Sequence, residues 1–198
     1  MSYGNASCIA AEVDPTRARA RPLAGSLLFA LGFAAATMAA AHMRVLLPFS
    51  PVPVTMQTMV VLLAGLCLGA GFGGLSQAKY LTLGLIGLPA FSGGIAALIG
   101  PSGGYLFGFV IGAMTAGWLY SMWRSTAGAI AACLVATATI YLAGCLWLAA
   151  VTVGSLGQVV AIGVLPFIFG DLLKIAAVVL LVRGPYTGAF IAKLFKHG

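Results

Sequence analysis

Long stretches of apolar residues dominate the chain, and short polar or charged segments separate them. Residues 22–43, 45–78, 80–123 and 125–170 contain no Asp, Glu, Lys or Arg. A helix needs about 20 apolar residues to cross a lipid bilayer, so these stretches and the segment after residue 170 have room for about six crossings. The pattern predicts an all-α fold, a polytopic membrane protein with six transmembrane helices.

Prolines and glycines indicate where these helices end. Proline has no amide proton to donate, so Pro48, Pro51 and Pro53 predict an extended loop after the first helix. Glycine-rich segments predict further turns near residues 69–74 and 91–104. Loops are expected between the helices, including residues 154–165. We place the six helices at residues 23–43, 55–68, 75–88, 105–123, 128–151 and 166–182.

The few charged residues predict the orientation. Only 7% of the residues are charged, against roughly 25% in a soluble domain. Cytoplasmic loops carry an excess of Lys and Arg, so the net charge of +7 requires no nucleic-acid partner. If both termini are cytoplasmic, the outer loops hold Arg44 and the inner face holds Arg17, Arg19, Arg21, Arg124, Arg183, Lys193 and Lys196.

This orientation predicts three parts of the chain. Residues 1–22 should form a disordered cytosolic tail, residues 23–183 a six-helix membrane domain, and residues 184–198 a short basic cytosolic tail. The proline loop and two further irregular loops then lie together outside. Irregular backbone at membrane depth needs protein or a water-filled cavity around it, so we expect a binding cavity that opens outward.

Lys79, Asp171 and Lys174 lie within the predicted spans and are candidate binding residues. A charge at the bilayer centre costs about 2.5–3.5 kcal/mol on insertion scales, so such residues usually have a function. Asp171 and Lys174 share a helical face, which fits either a salt bridge that lets the helix insert or a polar patch facing the cavity. We favour the patch. Lys79 either adds a second cation to the cavity or faces the cytoplasmic side.

Small residues on the first predicted helix indicate a surface for close packing. Gly32, Ala36 and Ala40 form one row with a spacing of four residues, and Ala35 and Ala39 form a second row beside it. Such rows let helix backbones approach closely, so this face could dock another membrane subunit. A similar row at positions 100, 104, 108, 112 and 116 favours packing within the protein.

The chain lacks the motifs of several catalytic classes. It has no Gly-Lys dipeptide and therefore no P-loop for ATP. Gly100-Pro-Ser-Gly103 matches a motif of six-helix intramembrane serine proteases, but that chemistry needs a base beside the serine, and the two histidines are His42 and His197. The four cysteines show no metal-ligand spacing. We expect neither an enzyme nor a metal site.

Four longer segments together resemble the BioY family, the biotin-binding S components of energy-coupling factor (ECF) transporters. The resemblance covers roughly residues 25–185. It rests on Pro48-Phe-Ser-Pro-Val-Pro-Val-Thr-Met-Gln57, Gly84-Leu-Ile-Gly-Leu-Pro-Ala-Phe-Ser-Gly-Gly94, Leu98-Ile-Gly-Pro-Ser-Gly-Gly-Tyr105 and Leu165-Pro-Phe-Ile-Phe-Gly-Asp-Leu-Leu-Lys174.

The resemblance implies a function and partners. It implies biotin uptake, with biotin as the transported ligand and no cofactor. It also implies association with a transmembrane T subunit and two ATPase subunits, which would supply the missing ATP chemistry. The alanine rows of the first helix would then be the docking face.

The resemblance also assigns site residues. A carboxylate can accept from two adjacent N–H groups, so Asp171 suits the ureido nitrogens of biotin. Lys174 suits the ureido oxygen or the biotin carboxylate. Some family members carry an arginine where this chain has Ile95, which leaves Lys79 as the candidate cation for the anionic end.

Neutral residues complete the predicted site. Phe91 and Tyr105 would cover the apolar face of the biotin ring, although aromatic residues near membrane loops often serve as interface anchors instead. Gln57 lies beside the proline loop, at the start of the second predicted helix, and is a further candidate.

Two other interpretations stay open. The chain could be an S component for another small vitamin, with the same architecture and different pocket residues. It could also be a stand-alone secondary carrier, proton-coupled or facilitative, acting alone or as a homo-oligomer. Recovery of ATPase subunits with the chain would separate an S component from a stand-alone carrier.

Overall fold

Helices make up nearly all of the computed structural model, which describes residues 23–152 and 155–183. The tails predicted at residues 1–22 and 184–198 lie outside the described residues. The predicted all-α fold is confirmed for the described part, apart from a ribbon with two residues in each strand. In chain order the elements are α1 (Leu23–His42), β1 (Arg44–Val45), β2 (Val54–Thr55), α2 (Gln57–Leu85), α3 (Ala96–Ile99), α4 (Gly103–Met122), α5 (Thr126–Val151), α6 (Leu156–Gly163) and α7 (Leu165–Arg183).

Five of the described helices are long and apolar enough to cross a membrane, namely α1, α2, α4, α5 and α7. Of these, α1, α4, α5 and α7 begin and end within two residues of their predicted bounds. The chain is therefore a multi-pass membrane protein.

The second and third predicted helices correspond to two helical segments, which non-helical backbone at Gly69 separates and which we number together as α2. Gly69 has φ +76° inside this helix, a conformation that glycine adopts without steric cost. Gln57 Nε2 donates to the Tyr80 hydroxyl over 2.7 Å, whereas a straight helix would hold these residues about 34 Å apart. The two halves, residues 57–68 and 70–85, therefore pack side by side.

Small residues bring α4 close to both neighbouring helices. A Cβ atom added at Gly65 of α2 would lie 2.5 Å from the Ala113 carbonyl oxygen, and one added at Gly112 would lie 2.6 Å from Ile140 Cγ1 of α5. These approaches leave no room for larger residues. The prediction that the small residues of α4 pack within the protein is confirmed.

The predicted proline loop forms an antiparallel ribbon, in which Arg44 pairs with Thr55 and Val45 with Val54. Prolines occupy positions 48, 51 and 53, so paired backbone is confined to the two ends of the segment. The Ser50 hydroxyl donates to the Ile162 carbonyl oxygen at the end of α6 over 2.7 Å. The ribbon and α6 therefore lie at the same end of the bundle.

The prediction of a loop over residues 154–165 is wrong, because α6 occupies most of this segment. Ser155 and Gln158 form a capping box, in which each side chain binds the backbone N–H of the other. Together they satisfy two amides that the first helical turn leaves without partners. The sequence contains the Ser-x-x-Gln pattern of a capping box here, but the neighbouring glycines favoured a loop.

Candidate functional site

A partly enclosed cavity of about 320 Å³ lies at the end of the bundle that carries the ribbon. Its walls come from the ribbon, α2, the segment from Phe91 to Ser102, α4, α5 and α7. Its rim includes exposed residues such as Arg44 and Ala96, whereas Asp171 and Lys174 lie buried in its wall. The volume falls within the range of about 300–1,000 Å³ that is usual for small-molecule sites.

Asp171 and Lys174 form an ion pair on α7, with 2.6 Å between Lys174 Nζ and Asp171 Oδ1. Both side chains are more than nine-tenths buried. Thr58 of α2 donates to Asp171 Oδ1 over 2.9 Å, and the Tyr141 hydroxyl of α5 donates to Asp171 Oδ2 over 2.5 Å. A buried charge is tolerated when it is paired and hydrogen-bonded in this way.

All three N–H donors of the Lys174 ammonium are used in hydrogen bonds. It donates to Asp171 Oδ1, to the Thr55 carbonyl oxygen over 2.7 Å and to Thr58 Oγ1 over 3.0 Å. Lys174 therefore ties α7 to the ribbon and to α2. A carboxylate has about four acceptor positions, and Asp171 uses three of them, so it can accept a further hydrogen bond from the cavity.

Gln57, Tyr80 and Phe91 join the two halves of α2 to the next loop. Beside the bond from Gln57 to Tyr80, the Thr55 hydroxyl donates to Gln57 Oε1 over 3.1 Å. The Tyr80 and Phe91 rings meet edge to face, with centroids 5.4 Å apart. Thr55, Gln57, Tyr80 and Phe91 all line the cavity. Their mutual contacts hold an aromatic part of the wall next to a polar part.

Tyr105 forms a second aromatic wall. Its ring lies 6.3 Å from that of Phe167, and its hydroxyl donates to the Gly163 carbonyl oxygen at the end of α6 over 2.7 Å. Because the Tyr105 hydroxyl proton is used in this bond, the hydroxyl does not donate to other polar groups in the cavity. The aromatic faces of Tyr105 and Phe167 remain as apolar lining.

The cavity brings together five of the six predicted binding residues: Asp171, Lys174, Gln57, Phe91 and Tyr105. Lys79 does not line it. Its ammonium donates to the Leu27 carbonyl oxygen of α1 over 3.3 Å. Tyr80 faces the cavity, and consecutive helical residues point about 100° apart, so Lys79 turns away. The expectation that Lys79 joins this site is wrong for this structure.

Four further lining residues received no role from the sequence: Arg44, Thr58, Tyr80 and Tyr141. Tyr141 carried a weak signal, because it is the one tyrosine in the apolar helix α5. Thr58 follows Gln57 directly but has no distinguishing pattern. No group of three His, Cys, Asp or Glu side chains suited to a metal ion occurs within residues 23–152 and 155–183.

The predicted docking face on α1 is largely exposed. Gly32, Ala35, Ala36 and Ala39 lie on the surface, and a Cβ atom added at Gly32 would meet nothing within 4 Å. Ala40 is only 5% exposed and packs inside the protein, so its assignment to this face is wrong. We use the term α1 face for the four exposed residues.

Comparison with known proteins identifies similar sequences and a similar fold. A family model described as the BioY family matches residues 13–188. The biotin transporter BioY of Thermotoga maritima is 36% identical over 138 residues, which cover 68% of this chain and 81% of that protein. A probable biotin transporter BioY of Pyrococcus horikoshii is 39% identical over 152 residues, covering 75% and 88% respectively.

The fold resembles a solved structure. It matches the S-component for biotin from an ECF-type ABC transporter with a TM-score of 0.74 and 26% sequence identity. The match covers 89% of this chain and 93% of that chain.

Proposed function

This chain belongs to the BioY family, and on that premise we propose that it is the biotin-binding S component of an ECF-type transporter for biotin uptake. The observation that carries the site assignment is a buried carboxylate, Asp171, in an otherwise largely apolar and aromatic cavity. The relatives are named as transporters, and the site is accordingly assigned to binding and not to catalysis.

Asp171 is the group that recognises the ureido ring. Biotin presents two N–H donors on that ring, and a carboxylate accepts such bonds more strongly than a neutral group does. Asp171 Oδ2 accepts only from Tyr141 and has acceptor capacity left. The aromatic walls at Phe91 and Tyr105 suit the apolar part of the ligand.

Lys174 holds the Asp171 carboxylate in place through their 2.6 Å ion pair. Donation from Lys174 to the ureido oxygen, the role that the family resemblance implies, replaces one of its three bonds, and the 3.0 Å bond to Thr58 is the longest of them. Gln57 supports the ribbon side of the cavity through its bonds to Thr55 and Tyr80.

We assign the chain six membrane crossings, with both termini in the cytoplasm of a cell whose inner membrane it occupies. The reversal of α2 at Gly69 supports this count, because each half of α2 can then enter the membrane separately. The cavity opens outward in this orientation, as uptake requires. The single basic residue Arg44 at the cavity rim agrees with an outer location.

The α1 face is the surface on which the chain meets a transmembrane T subunit, which in turn carries two ATPase subunits. Its exposed small residues allow a partner helix to approach closely. A chain that acts without these partners would instead use this face in a homo-oligomer.

Equilibrium binding of labelled biotin to the purified chain tests the proposal. Asp171→Asn removes the charge and should weaken binding by about 10- to 100-fold, because hydrogen bonds to a charged group are the stronger ones. Lys79→Gln, a charge change away from the cavity, is the control and should bind normally. A folded wild-type chain without affinity for biotin would favour another vitamin. Biotin binding that survives both Asp171→Asn and Lys174→Ala would make the pair structural.

A further inference from the structure

Arg44 supplies a charge to the cavity that no described group neutralises. The charged residues that line the cavity are Arg44, Asp171 and Lys174. Asp171 and Lys174 form an ion pair, which leaves one positive charge at Arg44. Among residues 23–152 and 155–183 the guanidinium of Arg44 has neither a salt-bridge partner nor a side-chain hydrogen bond.

The ribbon places Arg44 next to the ion pair. Arg44 is directly opposite Thr55 in the β1–β2 pairing, and the Thr55 carbonyl oxygen accepts from Lys174 Nζ over 2.7 Å. Residues directly opposite in an antiparallel pair have Cβ atoms about 4.5–5.5 Å apart. Arg44 therefore lies at the cavity rim near the buried pair, and all three charged residues line the same cavity.

We infer that Arg44 binds the carboxylate end of the ligand and makes the cavity selective for an anion. This inference rests on the proposed function, since biotin has a ureido ring at one end and a carboxylate at the other. Lys174 already donates to Asp171, Thr55 and Thr58, and the one bond that it can exchange is assigned above to the ureido oxygen. Lys79 does not line the cavity and donates to the Leu27 carbonyl oxygen instead. A guanidinium can bind a carboxylate through two parallel hydrogen bonds, which a lysine ammonium cannot match in geometry.

The test compares biotin with biotin methyl ester, which keeps the ureido ring and loses the negative charge. The wild-type chain should bind biotin about 10-fold more tightly than the ester, the ratio expected for one charged hydrogen-bonding contact. Arg44→Gln should weaken biotin binding about 10-fold and leave ester binding unchanged. Arg44→Lys should give an intermediate ratio. Lys79→Gln is the matched control and should keep the wild-type ratio.

Ester binding also reports whether each variant is folded. An Arg44→Gln chain that keeps the wild-type ratio of the two affinities overturns the inference, and so does one that loses both ligands, because Arg44 would then support the ribbon. Loss of the preference in Lys79→Gln alone overturns it as well. A wild-type chain that binds neither ligand overturns the proposed function itself, whereas one that binds both equally overturns only the role of Arg44.

Discussion

The hydroxyl of Thr58 connects the two buried charges of the cavity. It donates to Asp171 Oδ1 and accepts from Lys174 Nζ, so it is a hydrogen-bond partner of both groups. Lys174 continues the network to the Thr55 carbonyl oxygen at the end of β2. Thr58 on α2 thereby helps to fix the positions of α7 and the ribbon relative to each other around the site.

Thr58→Val tests this network without changing the side-chain volume greatly. We expect a loss of about 1–3 kcal/mol in the free energy of unfolding, because partners of Asp171 and Lys174 disappear in a buried setting. Biotin binding should weaken as Asp171 loses its fixed position. The control is Thr115→Val, since the exposed Thr115 hydroxyl bonds only to its own helix, at the Ile111 carbonyl oxygen. Thermal unfolding in detergent measures both, and equal effects would contradict the network.

The sequence predicts some residues of this network and not others, for a physical reason. Asp171 and Lys174 stand out because a charge in an apolar stretch is costly and needs an explanation. Thr58 and Tyr141 carry no such cost. Their roles depend on contacts with Asp171 across 113 and 30 residues of chain, which local patterns do not encode.

At the scale of elements, the reversal within α2 builds one side of the cavity. It returns Tyr80 to within hydrogen-bonding distance of Gln57, and both residues line the site. The reversal takes place at a single residue, Gly69, whose φ of +76° is unfavourable for residues with a Cβ atom. The glycine-rich segment predicted a turn near residues 69–74, and in the structure the non-helical backbone of this turn is at Gly69.

A pair of glycine substitutions isolates the backbone requirement. An added Cβ atom meets nothing within 4 Å at either Gly69 or Gly71, so packing does not distinguish the two sites. Gly69→Ala should lower stability by about 1–3 kcal/mol, because φ +76° with ψ 178° is a backbone conformation that residues other than glycine hardly ever adopt. Gly71→Ala should be neutral or stabilising by up to about 1 kcal/mol, because Gly71 is helical. Unfolding midpoints of the two variants that coincide would contradict the assignment.

Element prediction succeeds where length and hydrophobicity agree and fails for short pieces. The long helices α1, α4, α5 and α7 each carry a nearly continuous apolar stretch, and their bounds follow from it. The eight-residue helix α6 is too short for such a pattern. Its capping box between Ser155 and Gln158 is a local signal that the neighbouring glycines obscure.

At the scale of the whole molecule, binding and assembly are assigned to different parts of the surface. The cavity opens between the ribbon and α3, whereas the α1 face lies along the side of the first helix. Gly32 is at the centre of α1, about 15 Å along the axis from its end at His42, which contacts Pro89 near the cavity rim. A change on the α1 face should therefore affect partner association without reaching the cavity.

Gly32→Leu separates these two functions. A Cβ atom added at Gly32 meets no other atom of the protein within 4 Å, so folding and biotin binding should match the wild type. A leucine on a surface that needs small residues should obstruct a close helix contact, and an overpacked contact costs about 1–3 kcal/mol, or roughly 10-fold or more in association. The measurement is recovery of the ATPase subunits with the tagged chain from membranes. Ala138→Leu, at an exposed position on α5, is the matched control and should recover them normally.

If both variants recover the ATPase subunits equally well, partner docking uses another surface. If neither the variants nor the wild-type chain recovers them while biotin still binds, the chain transports biotin alone, and the oligomeric state of Gly32→Leu then decides whether the α1 face joins copies of the chain.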